Sequence, residues 1–141
     1  MTVLCSNSNV NSKQKTLCGE LVSAVGKVRW IDNEKLMDPV TAVSGSGPAY
    51  VFLLIEVLTE AGVKAGLSQD LAHELAVTTV AGAGALAEES ALSPKVLRQN
   101  VTSPGGTTEA ALEVLMSNDG LSELFLQAVN QAVARSRELA S

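Results

Sequence analysis

The sequence predicts a mainly α fold preceded by a short β-α-β unit, on three observations. From residue 34 onward strand signals nearly stop and apolar residues recur at helical spacing. The first 32 residues instead show a short apolar run, a helical stretch and a second, alternating apolar run. Of the 141 residues 46% are hydrophobic but only 3% aromatic, so the core is built from Ala, Val and Leu, which suits closely packed helices. The length fits one domain of the usual size, or one domain together with a piece of another.

Each element has a local reason. Residues 2–5 form the first apolar run, and Ser6-Asn7-Ser8-Asn9 is a polar loop. Asn11 or Ser12 can cap a helix to about residue 24, with Leu17, Leu21, Val22 and Val25 on one face. Gly26 closes it, and residues 27–31 alternate as a strand. Three such elements cannot bury both faces of a sheet, so residues 1–32 are expected to be the end of an α/β domain whose beginning is missing. Ser44-Gly45-Ser46-Gly47-Pro48 is expected as a loop, with Pro48 near the first position of a helix to about residue 61. Gly62 and Gly66 end that helix or its last turn. Ser68 caps the next helix, to about residue 89, with Asp70 suiting its dipole. Ser93-Pro94 opens a short helix to about residue 100. Ser103-Pro104-Gly105-Gly106 is a tight loop before a helix over about 107–116. Asn118-Asp119-Gly120 is a turn, and the last helix, about 121–139, carries Leu124, Phe125, Ala128, Val129 and Ala132 on one stripe.

The net charge of −5 and a pI near 4.8 argue against a nucleic-acid or anionic-membrane surface. The chain has one histidine, and Val77 stands where a zinc-protease motif beginning at His73-Glu74 needs a second, so no metal site is expected. Cys5 and Cys18 make no disulfide framework and follow no signal peptide, so they read as thiols of a reducing, cytoplasmic compartment. Mean hydropathy is +0.22, which is high. The apolar runs over 49–58 and 76–87 are too short for a membrane span of about 20 residues.

A subunit interface is the expected destination of that apolar surplus. Residues 51–58 are apolar but for Glu56, and 71–87 are apolar round most of a helix. A helix apolar all round is buried all round, and a domain of about 100 residues encloses little volume. Both helices are therefore expected to pack on a second copy. Gly82 and Gly84 each cost roughly 1 kcal/mol relative to Ala inside a helix, which is tolerable if another backbone comes close. A monomer with an unusually apolar core is the other reading of the same pattern.

Gly45-Ser46-Gly47 resembles the start of a dinucleotide fingerprint, but Tyr50 replaces its third glycine and no strong strand precedes it. The segment Thr102-Ser103-Pro104-Gly105-Gly106-Thr107-Thr108 is more informative. Adjacent glycines let several N–H groups point one way, the following helix adds its unpaired N–H groups, and Ser103, Thr107 and Thr108 add hydroxyls. Such a corner suits a small carboxylate. Its plainer reading is a turn in which Thr107 caps the helix.

Two long segments carry a resemblance. Val40-Thr41-Ala42-Val43-Ser44-Gly45-Ser46-Gly47-Pro48-Ala49-Tyr50 resembles the linker and first dimerisation helix of the pyrroline-5-carboxylate reductase family. Val101-Thr102-Ser103-Pro104-Gly105-Gly106-Thr107-Thr108-Glu109-Ala110-Ala111-Leu112 resembles its signature segment. The likeness covers essentially the whole chain, including Gly62-Val63-Lys64-Ala65-Gly66-Leu67. Met116 departs from it, where a polar residue is usual.

The resemblance implies a division at residue 32. Residues 1–32 would be the last strand, helix and strand of a Rossmann domain. Residues 33–141 would be a helical dimerisation and substrate-binding domain, like the C-terminal domain of 6-phosphogluconate dehydrogenase. It implies an intertwined homodimer, which could assemble further into a ring of dimers, with no metal, nucleic acid or membrane. The implied activity is that of an oxidoreductase of proline biosynthesis, reducing 1-pyrroline-5-carboxylate to L-proline with NADPH or NADH. Ser103, Gly105, Gly106, Thr107 and Thr108 would hold the substrate carboxylate, and the catalytic Thr108 hydroxyl would reach the ring imine nitrogen. Glu34, Asn100, Ser44 and Gly45 would approach the cofactor. The phosphate-cradling turn and ribose-reading residue of such enzymes lie outside these 141 residues, so the chain alone is expected to have little or no reductase activity. A stand-alone, non-catalytic dimerisation module and a helical domain of a related dehydrogenase are the alternatives; the intact Ser-Pro-Gly-Gly-Thr-Thr loop favours the reductase.

Overall fold

The computed structural model describes residues 1–140, and its elements follow the expected order closely. It comprises two units, Met1–Ser46 with the chain from Val129 onward, and Gly47–Ala128.

In the first unit β1 (Thr2–Cys5) and β2 (Val28–Ile31) pair in parallel, Thr2 opposite Val28 and Cys5 opposite Ile31. A parallel pair needs a crossover, which α1 (Ser12–Ser23) supplies. The Asn11 side chain accepts from the Gln14 N–H while the Gln14 side chain accepts from the Asn11 N–H, both at 3.0 Å, forming a capping box. Gly26, at φ 144°, turns the chain into β2. Lys15 Nζ sits 5.4 Å from the centre of the Trp30 ring, tying α1 to β2. Leu17, Leu21 and Val25, the predicted apolar face of α1, are exposed.

The chain between residues 34 and 48 departs from expectation. The segment 44–48 is not a loop: a 3₁₀ turn (Glu34–Leu36), α2 (Met37–Val40) and a π-helical turn (Thr41–Gly45) follow one another. In the π turn the Ser46 N–H donates to the Thr41 carbonyl at 2.8 Å. Pro48 has no N–H to give, and the wider turn immediately before it keeps the Gly-Ser backbone hydrogen-bonded within helical geometry. Counted as one helical stretch, residues 34–64 are long and apolar enough to cross a membrane by length and composition, unlike the shorter apolar runs weighed from the sequence. Ala42 is buried here. Asp38 accepts from the Ser136 hydroxyl at 2.7 Å and lies 3.6 Å from Arg137 Nε, so the end of α7 (Leu121–Leu139) is tied to α2.

The second unit is built on a hairpin of α3 (Gly47–Lys64) and α4 (Gln69–Glu89). Helix α3 runs one turn further than expected. Its end is set by Gly66 at φ 108°, with the Leu67 N–H on the Gly62 carbonyl and the Gly66 N–H on the Val63 carbonyl, a Schellman closure. Gly62 is inside the helix because a neighbour needs its space: a Cβ there would lie 3.2 Å from the Ala72 Cβ. Thr59, Ala72 and Ala76 are the buried residues of this contact, and the Thr59 hydroxyl is satisfied by the Ile55 carbonyl at 2.8 Å. Ser68 caps α4 as expected. Helices α5 (Pro94–Asn100), α6 (Thr107–Leu115) and the start of α7 follow, with Tyr50 and Phe125 in an edge-to-face contact at 6.0 Å.

The hairpin leaves much of its apolar surface open. Phe52, Leu53 and Leu86 are 63%, 57% and 54% exposed, and nothing lies within 4 Å of where Cβ atoms on Gly82 and Gly84 would be.

Gly120, in the turn before α7, allows a direct test of local packing. A Cβ there would stand 2.4 Å from the Leu115 carbonyl oxygen and 2.8 Å from that of Ser117, both backbone atoms that cannot swing aside. Gly120→Ala is expected to cost about 1–3 kcal/mol, as overpacking does. Thermal unfolding followed by circular dichroism checks this; an unchanged Tm would mean that the turn opens freely.

Candidate functional site

The candidate site is the corner between α5 and α6. Ser93 caps α5 by accepting from the Val96 N–H at 3.4 Å, with Pro94 in the first turn. The helix closes when the Val101 and Thr102 N–H groups bond the Arg98 and Gln99 carbonyls. The Thr102 hydroxyl also donates to the Arg98 carbonyl, at 2.7 Å, and is spent there.

The chain then turns once more. The Gly106 N–H donates to the Ser103 carbonyl at 3.0 Å, with Pro104 second and Gly105 third in the turn. Gly105 has φ +70°, the position that a type II turn reserves for glycine. Gly106, not Thr107, is the N-cap of α6, and it brings no side-chain hydrogen bond. The Ala110 N–H makes the first bond back, to the Gly106 carbonyl at 3.3 Å. Helix geometry therefore leaves the N–H groups of Thr107, Thr108 and Glu109 without a helical partner. The same three carry the positive end of the helix dipole. A Cβ on Gly106 would press on the Ser103 carbonyl oxygen at 3.1 Å, so a side chain here would disturb the turn.

The predicted residues divide between the two units. Ser103, Gly105 and Thr107 are exposed and Gly106 and Thr108 half-buried on this one continuous segment, with exposed Asn100 at the end of α5. No hydrogen bond ties up the hydroxyls of Ser103, Thr107 or Thr108 among the described residues. Glu34, Ser44 and Gly45 belong to the first unit: Glu34 starts the 3₁₀ turn after Asn33, and Ser44 and Gly45 are exposed residues of the π turn.

Two neighbours of the corner escaped the sequence reading. The Glu109 carboxylate accepts from the Gly105 N–H at 2.6 Å. Its signal was a glutamate three residues into a helix, the position from which an acid reaches back. Arg98, whose guanidinium touches the Met116 sulfur, shares a hollow of about 370 Å³ with Thr102, Glu109, Leu112 and Met116. Chemically, the corner offers outward N–H groups, a helix dipole and hydroxyls that donate or accept, which is equipment for a small anion with a second polar atom.

Comparison with known proteins identifies the family. The sequence model of pyrroline-5-carboxylate reductase dimerisation matches residues 34–139. The pyrroline-5-carboxylate reductase of Pseudomonas aeruginosa is 49% identical over 137 residues, 97% of this chain and 50% of that protein. The Synechocystis enzyme of the same name is 45% identical, over 99% of this chain and 51% of its own. Among solved structures, a pyrroline-5-carboxylate reductase from Coxiella burnetii superposes with a TM-score of 0.90 at 46% identity, over 97% of this chain and 50% of that one. The Plasmodium falciparum pyrroline carboxylate reductase, solved with NADP bound, gives 0.83 at 39% identity, over 99% and 52%. The chain thus spans about half the length of the relatives it matches. The first unit's β-α-β and the helices after it are the remnant-plus-helical-domain arrangement that the sequence predicted, and the chain belongs to the pyrroline-5-carboxylate reductase family.

Proposed function

We propose that this chain is the dimerisation and substrate-binding part of a reductase that converts 1-pyrroline-5-carboxylate to L-proline. The observation that carries this is the uncapped start of α6, with outward N–H groups and unspent hydroxyls, within the residues that the family model matches and on the segment that resembles the family's signature. The N–H groups of Thr107 and Thr108, with Ser103 beside them and Gly105 and Gly106 shaping the turn, bind the substrate carboxylate. The Thr108 hydroxyl donates to the ring nitrogen, polarising the C=N bond and stabilising the charge that develops there. Residues 33–141 form this part and 1–32 the end of the α/β domain; the start of the family match at residue 34 supports the division.

NADPH or NADH supplies the hydride. The α/β end described here does not suit its diphosphate. The start of α1, where a phosphate would sit, is closed by the Asn11–Gln14 capping box. Glu34, Ser44, Gly45 and Asn100 are exposed polar or small residues that suit the cofactor's nicotinamide end, and the diphosphate is held elsewhere in the intact protein.

The open faces of α3 and α4 pack on a second copy, and the dimers can assemble into a ring. The apolar stretch over 34–64 is interface, not a membrane span. Unpaired Cys5 and Cys18 suit a reducing, cytoplasmic setting.

The test joins this chain to the half of the Pseudomonas aeruginosa relative that it does not cover. The fused protein is expected to reduce 1-pyrroline-5-carboxylate with NADPH or NADH, and the 141-residue chain alone to show little or no turnover. L-proline should raise the Tm of the fused protein by ligand linkage. A folded fusion with neither activity nor a proline response would contradict the reading.

A further inference from the structure

We propose that Glu109 is a built-in competitor for the carboxylate corner, holding the Gly105 N–H until an anionic ligand displaces it. This rests on the reading of residues 103–108 as the substrate's carboxylate site. A glutamate at the third position of a helix ordinarily turns back to the N–H of the cap residue. Here that N–H, on Gly106, is already taken by the Ser103 carbonyl at 3.0 Å. The Glu109 carboxylate reaches past it to Gly105, whose N–H donates at 2.6 Å. One of the corner's donors is therefore occupied by an anion of the chain itself, while those of Thr107, Thr108 and Glu109 have no helical partner.

Two carboxylates cannot share this corner without cost. A ligand on the Thr107 and Thr108 N–H groups is one turn or less from the Glu109 side chain. Either it meets a like charge, or Glu109 lets go of Gly105 and swings into solvent. The contact thus raises the threshold for binding. A weak anion making a single hydrogen bond does not displace Glu109, whereas a ring acid that takes several N–H groups and a hydroxyl does. Glu109 thus sets how tightly the corner holds an anion.

Glu109→Gln separates charge from shape, because the amide keeps the oxygen that accepts from Gly105. The probe is tetrahydrofuran-2-carboxylate, a five-membered ring acid without the ammonium by which L-proline would pair with Glu109. It is titrated into the ¹⁵N-labelled 141-residue chain, wild type and variant, while the amide signals of residues 105–108 are followed. At low salt Glu109→Gln is expected to bind about fivefold more tightly, the effect of removing a unit charge roughly 4 Å away in water. The difference should shrink as salt is added. Equal affinities would overturn the proposal and leave Glu109 a helix cap only. If the probe moves the 105–108 amides in neither protein, the carboxylate-site reading itself has failed, and the competitor role falls with it.

Discussion

Leu53→Glu is expected to abolish the proposed pairing of two copies and to lower the melting temperature steeply at any fixed concentration. Leu53 is 57% exposed in the single chain, and Val57, one helical turn on, is 48% exposed. A substitution on a free surface usually shifts stability by no more than about 0.5 kcal/mol. Against a second copy the same change forfeits about 1.5–3 kcal/mol of apolar burial. It also forces a carboxylate into an apolar contact, where it must be desolvated or protonated. A loss of several kcal/mol per subunit raises the dimer dissociation constant by orders of magnitude. Light scattering on the eluting protein and melting curves over a hundredfold range of concentration measure both effects. A variant with wild-type mass and wild-type Tm would place Leu53 on an ordinary surface and leave the apolar face of α3 unexplained.

Thr108→Ala, made in the fusion that carries both halves, is expected to reduce kcat by about 10²–10³, the usual loss when a donor to developing charge is removed. The fold should survive. Thr108 is the second residue of α6, half-buried, and its hydroxyl makes no hydrogen bond among the described residues, so its removal orphans nothing. Thr108→Ser keeps the hydroxyl and should recover most of the rate. Steady-state kinetics, with the Tm of each variant alongside, separate chemistry from folding. Wild-type turnover in the alanine variant would take Thr108 out of the mechanism and leave the corner a binding device.

What could be read from the sequence was what is decided locally. Ser68, and Ser93 before Pro94, mark helix starts through hydrogen bonds that span three residues, and each lies where it was expected; of the two caps open for α1, Asn11 and Ser12, the fold uses Asn11. Gly66 and Gly105 adopt the positive φ that their turns require. The failures are places where a neighbour distant in sequence, or an uncommon helix register, decides. Gly62 reads as a terminator, yet it is a notch that admits Ala72. Ser44 to Gly47 read as a loop because glycine and serine favour one, and nothing in their composition signals a π turn ahead of Pro48. At the candidate site the turn and the glycines were legible. The cap was not, since Thr107 is the better capping residue and the geometry uses Gly106 instead. The reach of Glu109 to Gly105 depended on the Gly106 N–H being taken first, which only the folded turn reveals.

Gly82 and Gly84 bring the remaining question to one place. In the single chain they face open space and only weaken α4, so their presence makes sense if another backbone lies against them. Sedimentation equilibrium of the unmodified chain at micromolar concentration tests this most directly. The expected result is a species of twice 14.6 kDa whose melting temperature rises with concentration. A cooperative, well-folded particle of 14.6 kDa, melting at the same temperature at every concentration, would contradict the account.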